Sequence, residues 1–156
     1  MDTTHTIGGH AVVGAGTLPV IDPASGQIFA LAPAADRAQL DAAVAAARTA
    51  QPAWAALSFA ERRERIGAYV TQLMSQSEAV AEVLCREQGK PLALARREAG
   101  AAPWVIKGMA AIVLPEEEVL REKAEERVVM RWRPLGVVGA IAPWNVPLIL
   151  GFAKVG

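Results

Sequence analysis

The chain has 156 residues, 53% of them hydrophobic and 21% charged, with 16 basic side chains balanced by 16 acidic ones. This composition suits one folded domain with a core and excludes a disordered chain, while zero net charge leaves no basic excess for nucleic acid. The lone cysteine, Cys85, has no partner for an internal disulfide, and the first residues lack the basic start and apolar stretch of a secretory signal, so the cytoplasm is the expected compartment. In chain order, strands are expected first. Thr6-Ile7 and residues 10 to 13 flank Gly8-Gly9, a dipeptide suited to a tight hairpin turn. Val20-Ile21 and residues 27 to 30 flank Asp22-Pro23-Ala24-Ser25-Gly26, with Pro and Gly at useful turn positions.

Four helical stretches follow. The first starts at Asp36, with Gln39 three residues on as in a capping box, and carries Leu40, Val44 and Ala47 at helical spacing. It is expected to end before Pro52. The second starts at Ser58 with Glu61 in the same relation. Phe59, Ile66, Tyr69, Val70, Leu73 and Met74 form its apolar face, with Arg62, Arg63 and Arg65 mostly outside. The third runs from about Ser77, with Val80, Val83 and Leu84 inward, to a left-handed cap at Gly89. The fourth begins near Pro91 and ends at Leu114-Pro115. Ala95, Ala99, Ala102, Val105, Ile106, Met109 and Ile112 line one side, and Pro103 is expected to kink or split it.

Residues 116 to 127 are dense in charge and read as a solvated segment. Val128, Met130 and Trp132 then alternate with Val129, Arg131 and Arg133, as in a half-exposed strand. Residues 137 to 142 form a short continuous apolar run, as in a strand buried on both faces of a parallel sheet. A loop at residues 143 to 146 precedes a helix starting at Pro147. The uncharged stretch from 134 to 153 is near the ~20 residues that span a bilayer, but Pro134, Pro143, Pro147 and Asn145 within it favour a buried strand, loop and helix over a membrane span. One buried parallel strand needs neighbours and covering helices, so the sequence reads as a fragment of a larger fold.

Several chemistries lack their motifs. Gly14-Ala15-Gly16 starts a dinucleotide-turn pattern, but Pro19 takes the third glycine position and no long helix follows. No P-loop or nucleophile elbow is present, and His5 and His10 have no ligand constellation at zinc spacing, so no metal is expected. Cys85 lies in a helical pattern and reads as a packed small hydrophobe. The informative segment is Pro134-Leu135-Gly136-Val137-Val138-Gly139-Ala140-Ile141-Ala142-Pro143-Trp144-Asn145-Val146-Pro147-Leu148. A strand opening into a Pro-Trp-Asn loop can bind a ligand at its carboxyl end. Trp144 offers a rigid apolar face there, and Asn145 an uncharged hydrogen-bond donor. On physics alone, Asn145 could equally cap the next helix.

This segment resembles the Pro-Trp-Asn signature of the aldehyde dehydrogenase superfamily. Collinear similarities accompany it: Ile21-Asp22-Pro23-Ala24-Ser25-Gly26-Gln27-Ile28 to the family's N-terminal turn, residues 41 to 50 and Pro52-Ala53-Trp54 to its first helix, and Glu87-Gln88-Gly89-Lys90-Pro91 to its helix stop. Lys154, nine residues after Asn145, falls where the family has a lysine near the active site. The resemblance implies an α/β fold, here the N-terminal part of the aldehyde dehydrogenase fold: a β arm, a helical stretch and the start of a Rossmann-like parallel sheet. Residues 1 to 156 would be the N-terminal portion of the cofactor-binding domain with part of the oligomerisation arm, and the catalytic domain would be absent. It further implies oxidation of an aldehyde to a carboxylic acid with NAD or NADP through a cysteine adduct, in a homodimer or homotetramer when full length.

By the same resemblance, Asn145 belongs to the oxyanion hole, and Ile141, Pro143, Trp144 and Asn145 lie along the cofactor. The catalytic cysteine motif, the glutamate motif and the glycine turn under the pyrophosphate fall beyond Gly156 in the family. Val146 stands where Phe is more usual. The chain alone is therefore expected to be inactive. The alternative is a non-catalytic module that assembles with full-length subunits through its exposed strand edges.

Overall fold

The computed structural model of the chain describes residues 3 to 115 and 117 to 155. Among them are three two-stranded antiparallel sheets, four long helices and a short fifth. Strand β1 (His5–Ile7) pairs with β2 (His10–Val12) around Gly8 and Gly9. Their φ values of 59° and 84° are the positive pair that a two-residue hairpin turn requires. Strand β3 (Gly16–Asp22) pairs with β4 (Gln27–Ala34), with a bulge between Val20 and Ile21. The Asp22 side chain accepts from the Ala24 N–H at 2.9 Å, and its carbonyl accepts from the Gly26 N–H at 2.7 Å, which closes the intervening turn.

Helix α1 (Arg37–Ala55) starts where Asp36 accepts from the Gln39 N–H at 2.8 Å. The Gln39 side chain does not complete the box. It bridges the Val13 carbonyl and the Ala15 N–H, at 2.7 and 3.0 Å, and ties the helix start to the end of β2. The helix runs through Pro52 rather than ending before it. Pro52 lies in the last turn, where its missing N–H removes a single bond, and its carbonyl still accepts from Ala56 at 3.0 Å. Helix α2 (Phe59–Ser75) has both halves of the capping box expected of Ser58 and Glu61. Its apolar face is only partly covered: Val70 is buried, while Phe59, Tyr69 and Met74 remain exposed.

Helix α3 (Ser77–Gln88) ends at Gly89, whose φ of 70° lets the chain turn in the left-handed region. Ala81 and Leu84 face inward, but Val83 is exposed, contrary to its expected inward place. Helix α4 (Leu92–Ala110) is not split at Pro103. The Pro103 ring is almost fully buried, and that packing offsets part of the ~3 kcal/mol an interior proline costs a helix. The helix stops before Leu114, and Met109 and Ile112 are exposed instead of inward. Ala81 and Leu84 of α3 meet Ala95 and Ala99 of α4 in the core, with Val80, Cys85 and Leu148 packed around them. Small side chains at this contact allow the two helices to approach closely.

Beyond α4 one expectation is refined and one is corrected. The charge-dense segment is solvent-exposed as expected, but it forms a hairpin: β5 (Glu117–Lys123) pairs with β6 (Glu126–Arg131), and Glu116 lies outside the described residues. Glu117 receives Arg131 at 2.6 Å and Arg127 at 2.9 Å, so the charges satisfy one another across the antiparallel pair. Residues 137 to 142 are not a buried strand. They have no ladder partner, they are exposed, and no parallel pair exists among the described residues. A strand exists only through hydrogen bonds to a neighbour, and no other described segment pairs with this one. Helix α5 (Pro147–Phe152) begins at Pro147 as expected, and Phe152 meets Tyr69 edge-on at 6.1 Å. Among the described residues, no helix is long and apolar enough to cross a membrane.

Candidate functional site

Three segments far apart in sequence converge at the C-terminal end of α3. On one side lies the β3–β4 turn. A Cβ on Gly89 would sit 2.8 Å from Pro23 Cγ, so this position needs glycine for space as well as for its φ. One turn earlier, Arg86 reaches Asp22 at 3.6 Å and lies over the Phe29 ring at 4.4 Å. On the other side lies the Pro-Trp-Asn corner. Gln88 Nε2 donates to the Trp144 carbonyl, and Lys90 Nζ donates to the Asn145 carbonyl at 3.0 Å.

Lys90 also forms an ion pair with Glu98 of α4, whose side chain is buried. Glu98 Oε1 accepts the Leu148 backbone N–H at 3.0 Å. Leu148 belongs to the first turn of α5, where backbone donors have no partner within the helix. Its own sequence provides no side-chain cap, since the N-cap residue is Val146. Glu98 supplies that acceptor from a neighbouring helix.

The corner is thus held by its backbone, and its side chains are left available. Ile141 is 85% exposed and Trp144 84%; Pro143 and Asn145 are exposed as well. The reading in which Asn145 caps the following helix fails, because Val146 occupies that position without a side-chain bond. No hydrogen bond engages the Asn145 carboxamide among the described residues; its contact is through the backbone carbonyl. Ile141, Pro143, Trp144 and Asn145, all singled out in the sequence, therefore share one exposed stretch. An apolar wall beside an unengaged amide can flank a planar ring and donate to a developing negative charge. Lys154 is exposed and donates to the Leu150 carbonyl at 2.8 Å, four residues back at the end of α5.

Sequence reasoning missed Lys90, Gln88 and Glu98 as parts of this site. Gln88 and Lys90 flank the glycine helix stop and were legible only as its neighbours. Glu98 carried a clearer signal: it occupies the helical stripe of Ala95, Ala99 and Ala102, an acid on an otherwise apolar face. The carboxyls held below their ordinary range lie elsewhere: Glu61 by the Ser58 side chain, Glu78 by Arg96, and Glu117 by Arg131. An open groove of about 630 Å³, lined in part by Trp54, Phe59, Arg62 and Trp132, does not include the corner.

Residues 12–156 match the family model described as the aldehyde dehydrogenase family. The chain is 37% identical over 150 residues to an N-succinylglutamate 5-semialdehyde dehydrogenase of Vibrio cholerae, covering 92% of this chain and 30% of the relative. It resembles the solved structure of 3,6-anhydro-L-galactose dehydrogenase in complex with NAP, with TM-score 0.89 and 28% identity, covering 100% of this chain and 34% of the other. It also resembles PnpE in complex with nicotinamide adenine dinucleotide, with TM-score 0.86 and 30% identity, covering 99% and 33%. The chain thus spans about a third of the length of the proteins it matches.

Proposed function

The chain belongs to the aldehyde dehydrogenase family and has the N-terminal part of that fold, and on that premise we propose that it serves an enzyme that oxidises an aldehyde to a carboxylic acid with NAD or NADP. Asn145 is the oxyanion donor in this reading. The observation that carries it is the corner's division of labour: backbone carbonyls anchored by Gln88 and Lys90, carboxamide unengaged and exposed.

As a thiolate adds to the aldehyde carbon, the carbonyl electron pair moves onto oxygen. Asn145 Nδ2 donates a hydrogen bond to that oxygen, and a donor fixed in advance needs no reorganisation as the charge develops. The amide stays neutral throughout, so it stabilises the oxyanion without trapping it as a salt. When hydride departs, the carbonyl re-forms as a thioester, and water releases the acid. Cys85 is not the reacting thiol here, because it packs against the α3–α4 core. The thiol and the group that activates water are assigned to the part of the enzyme outside this chain.

The exposed apolar surface of Ile141, Pro143 and Trp144 fits one wall of a nicotinamide nucleotide site. NAD or NADP would supply the hydride acceptor there. The three hairpins each leave outer edges unpaired among the described residues, which suits assembly of a homo-oligomer. In the complete enzyme, Asn145→Ala is expected to lower kcat by on the order of 100-fold; an unchanged rate would remove Asn145 from the oxyanion site. The isolated 156-residue chain is expected to show no aldehyde-dependent NAD(P)H formation, and detectable turnover would refute the assignment of the thiol elsewhere.

A further inference from the structure

Lys90 and Glu98 form a largely buried charged pair that the proposed chemistry does not consume. Glu98 alone joins both supports of the corner. One carboxylate oxygen takes Lys90, which in turn donates to the Asn145 carbonyl at 3.0 Å. The other takes the Leu148 N–H at 3.0 Å, three residues beyond Asn145. The chain from the Asn145 carbonyl to the first turn of α5 is thereby referred to a single point on α4, while Gln88 holds the Trp144 carbonyl on the preceding side. Glu98 is held among Ala95, Ala99 and Ala102, whose burial fixes that face of the helix. A carboxylate in such a place is expensive to bury without full partners, and here both its oxygens are engaged.

Resting on the oxyanion reading of Asn145, we propose that Glu98 and Lys90 are positioning residues that set the direction of the Asn145 carboxamide, with Gln88 as an auxiliary anchor at Trp144. None of the three touches the aldehyde. Their effect is on the geometry of the donor, to which an oxyanion interaction is sensitive at the ångström scale.

The test is a double-mutant cycle in the complete enzyme. Glu98→Ala removes both supports and is expected to lower kcat by about 10- to 100-fold, with the aldehyde KM changed by less than about threefold. Glu98→Gln, which keeps an acceptor for Leu148, recovers part of that loss. In the Asn145→Ala background, Glu98→Ala adds less than about twofold, because a donor that is absent cannot be misdirected. Should Glu98→Ala fail to fold, Gln88→Ala at the half-buried C-terminal end of α3 carries the same cycle, with a smaller loss in kcat that also vanishes in the Asn145→Ala background. Full additivity, or an unchanged kcat in a folded Glu98→Ala enzyme, overturns the positioning role and leaves the oxyanion reading standing. An Asn145→Ala enzyme with parental kcat overturns that reading instead.

Discussion

Ala81, Leu84, Ala95 and Ala99 are at most 4% exposed, whereas Leu135, Ile141 and Trp144 are 84 to 90% exposed. Both groups come from apolar stretches, and from hydropathy alone the second has the stronger claim to burial. The difference lies in where each finds its partner. Helices α3 and α4 follow one another across the Gly89 turn, so each supplies the cover the other needs within about thirty residues. The 137 to 142 run has the character of a central strand, and a central strand is covered by strands and helices that no other described segment provides. Periodicity states which surface wants cover; it does not state what covers it.

That contrast can be broken at its packed end first. Ile106 is fully buried on α4, and Ile106→Ala is expected to destabilise the chain by about 2–5 kcal/mol, read from denaturant unfolding. A loss below about 0.5 kcal/mol would place it with surface sites instead. Ser58→Ala comes next, with an expected cost of about 0.5–2 kcal/mol from loss of the α2 cap. At the exposed end, Ile141→Ser should change the stability of this chain by no more than about 0.5 kcal/mol. The same substitution in the complete enzyme should cost as much as a core change, if the missing layers cover it there. Equal small effects in both proteins would mean that the run stays open.

The smallest expected effect is on pH dependence. Glu61, Glu78 and Glu117 are held below the ordinary value of 4.5, chiefly by hydrogen bonds from Ser58, Arg96 and Arg131. Their folded-state pKa is depressed, so their contribution is fully present above 4.5 and is lost as the pH falls from 4.5 through the lower folded-state value. Glu61 and Glu78 are exposed and Glu117 is half-buried, and solvent screens the gain. Unfolding midpoints measured between neutral pH and the acid range should decline modestly there, and Glu78→Gln should shallow the decline. A rise in stability on acidification would reverse the sign of these contacts.

Local chemistry was legible in the sequence wherever a few residues decide the outcome. Gly8-Gly9, Asp36, Ser58, Gly89 and Pro147 each act within one turn of chain, and each marks the boundary expected of it. Pro52 and Pro103 did not stop their helices, because the last turn in one case and burial of the ring in the other outweighed a lost hydrogen bond. The charged residues of β5 concealed a strand because their partners are cross-strand arginines, which a window along the chain does not see. At the site, Ile141, Pro143, Trp144 and Asn145 were readable as a motif. The anchors Gln88, Lys90 and Glu98 depend on contacts spanning about fifty residues, and only the acid in an alanine stripe hinted at them.

The proposed oxyanion role of Asn145 is tested most directly by Asn145→Asp in the complete enzyme. The replacement has nearly the same shape, but it exchanges a hydrogen-bond donor for a negative charge beside the oxygen that must itself become negative. It is expected to lower kcat at least as far as Asn145→Ala does, on the order of 100-fold or more, while the backbone bond from Lys90 survives. A folded Asn145→Asp enzyme that turned over within about twofold of the parent would show that no oxyanion forms against this side chain.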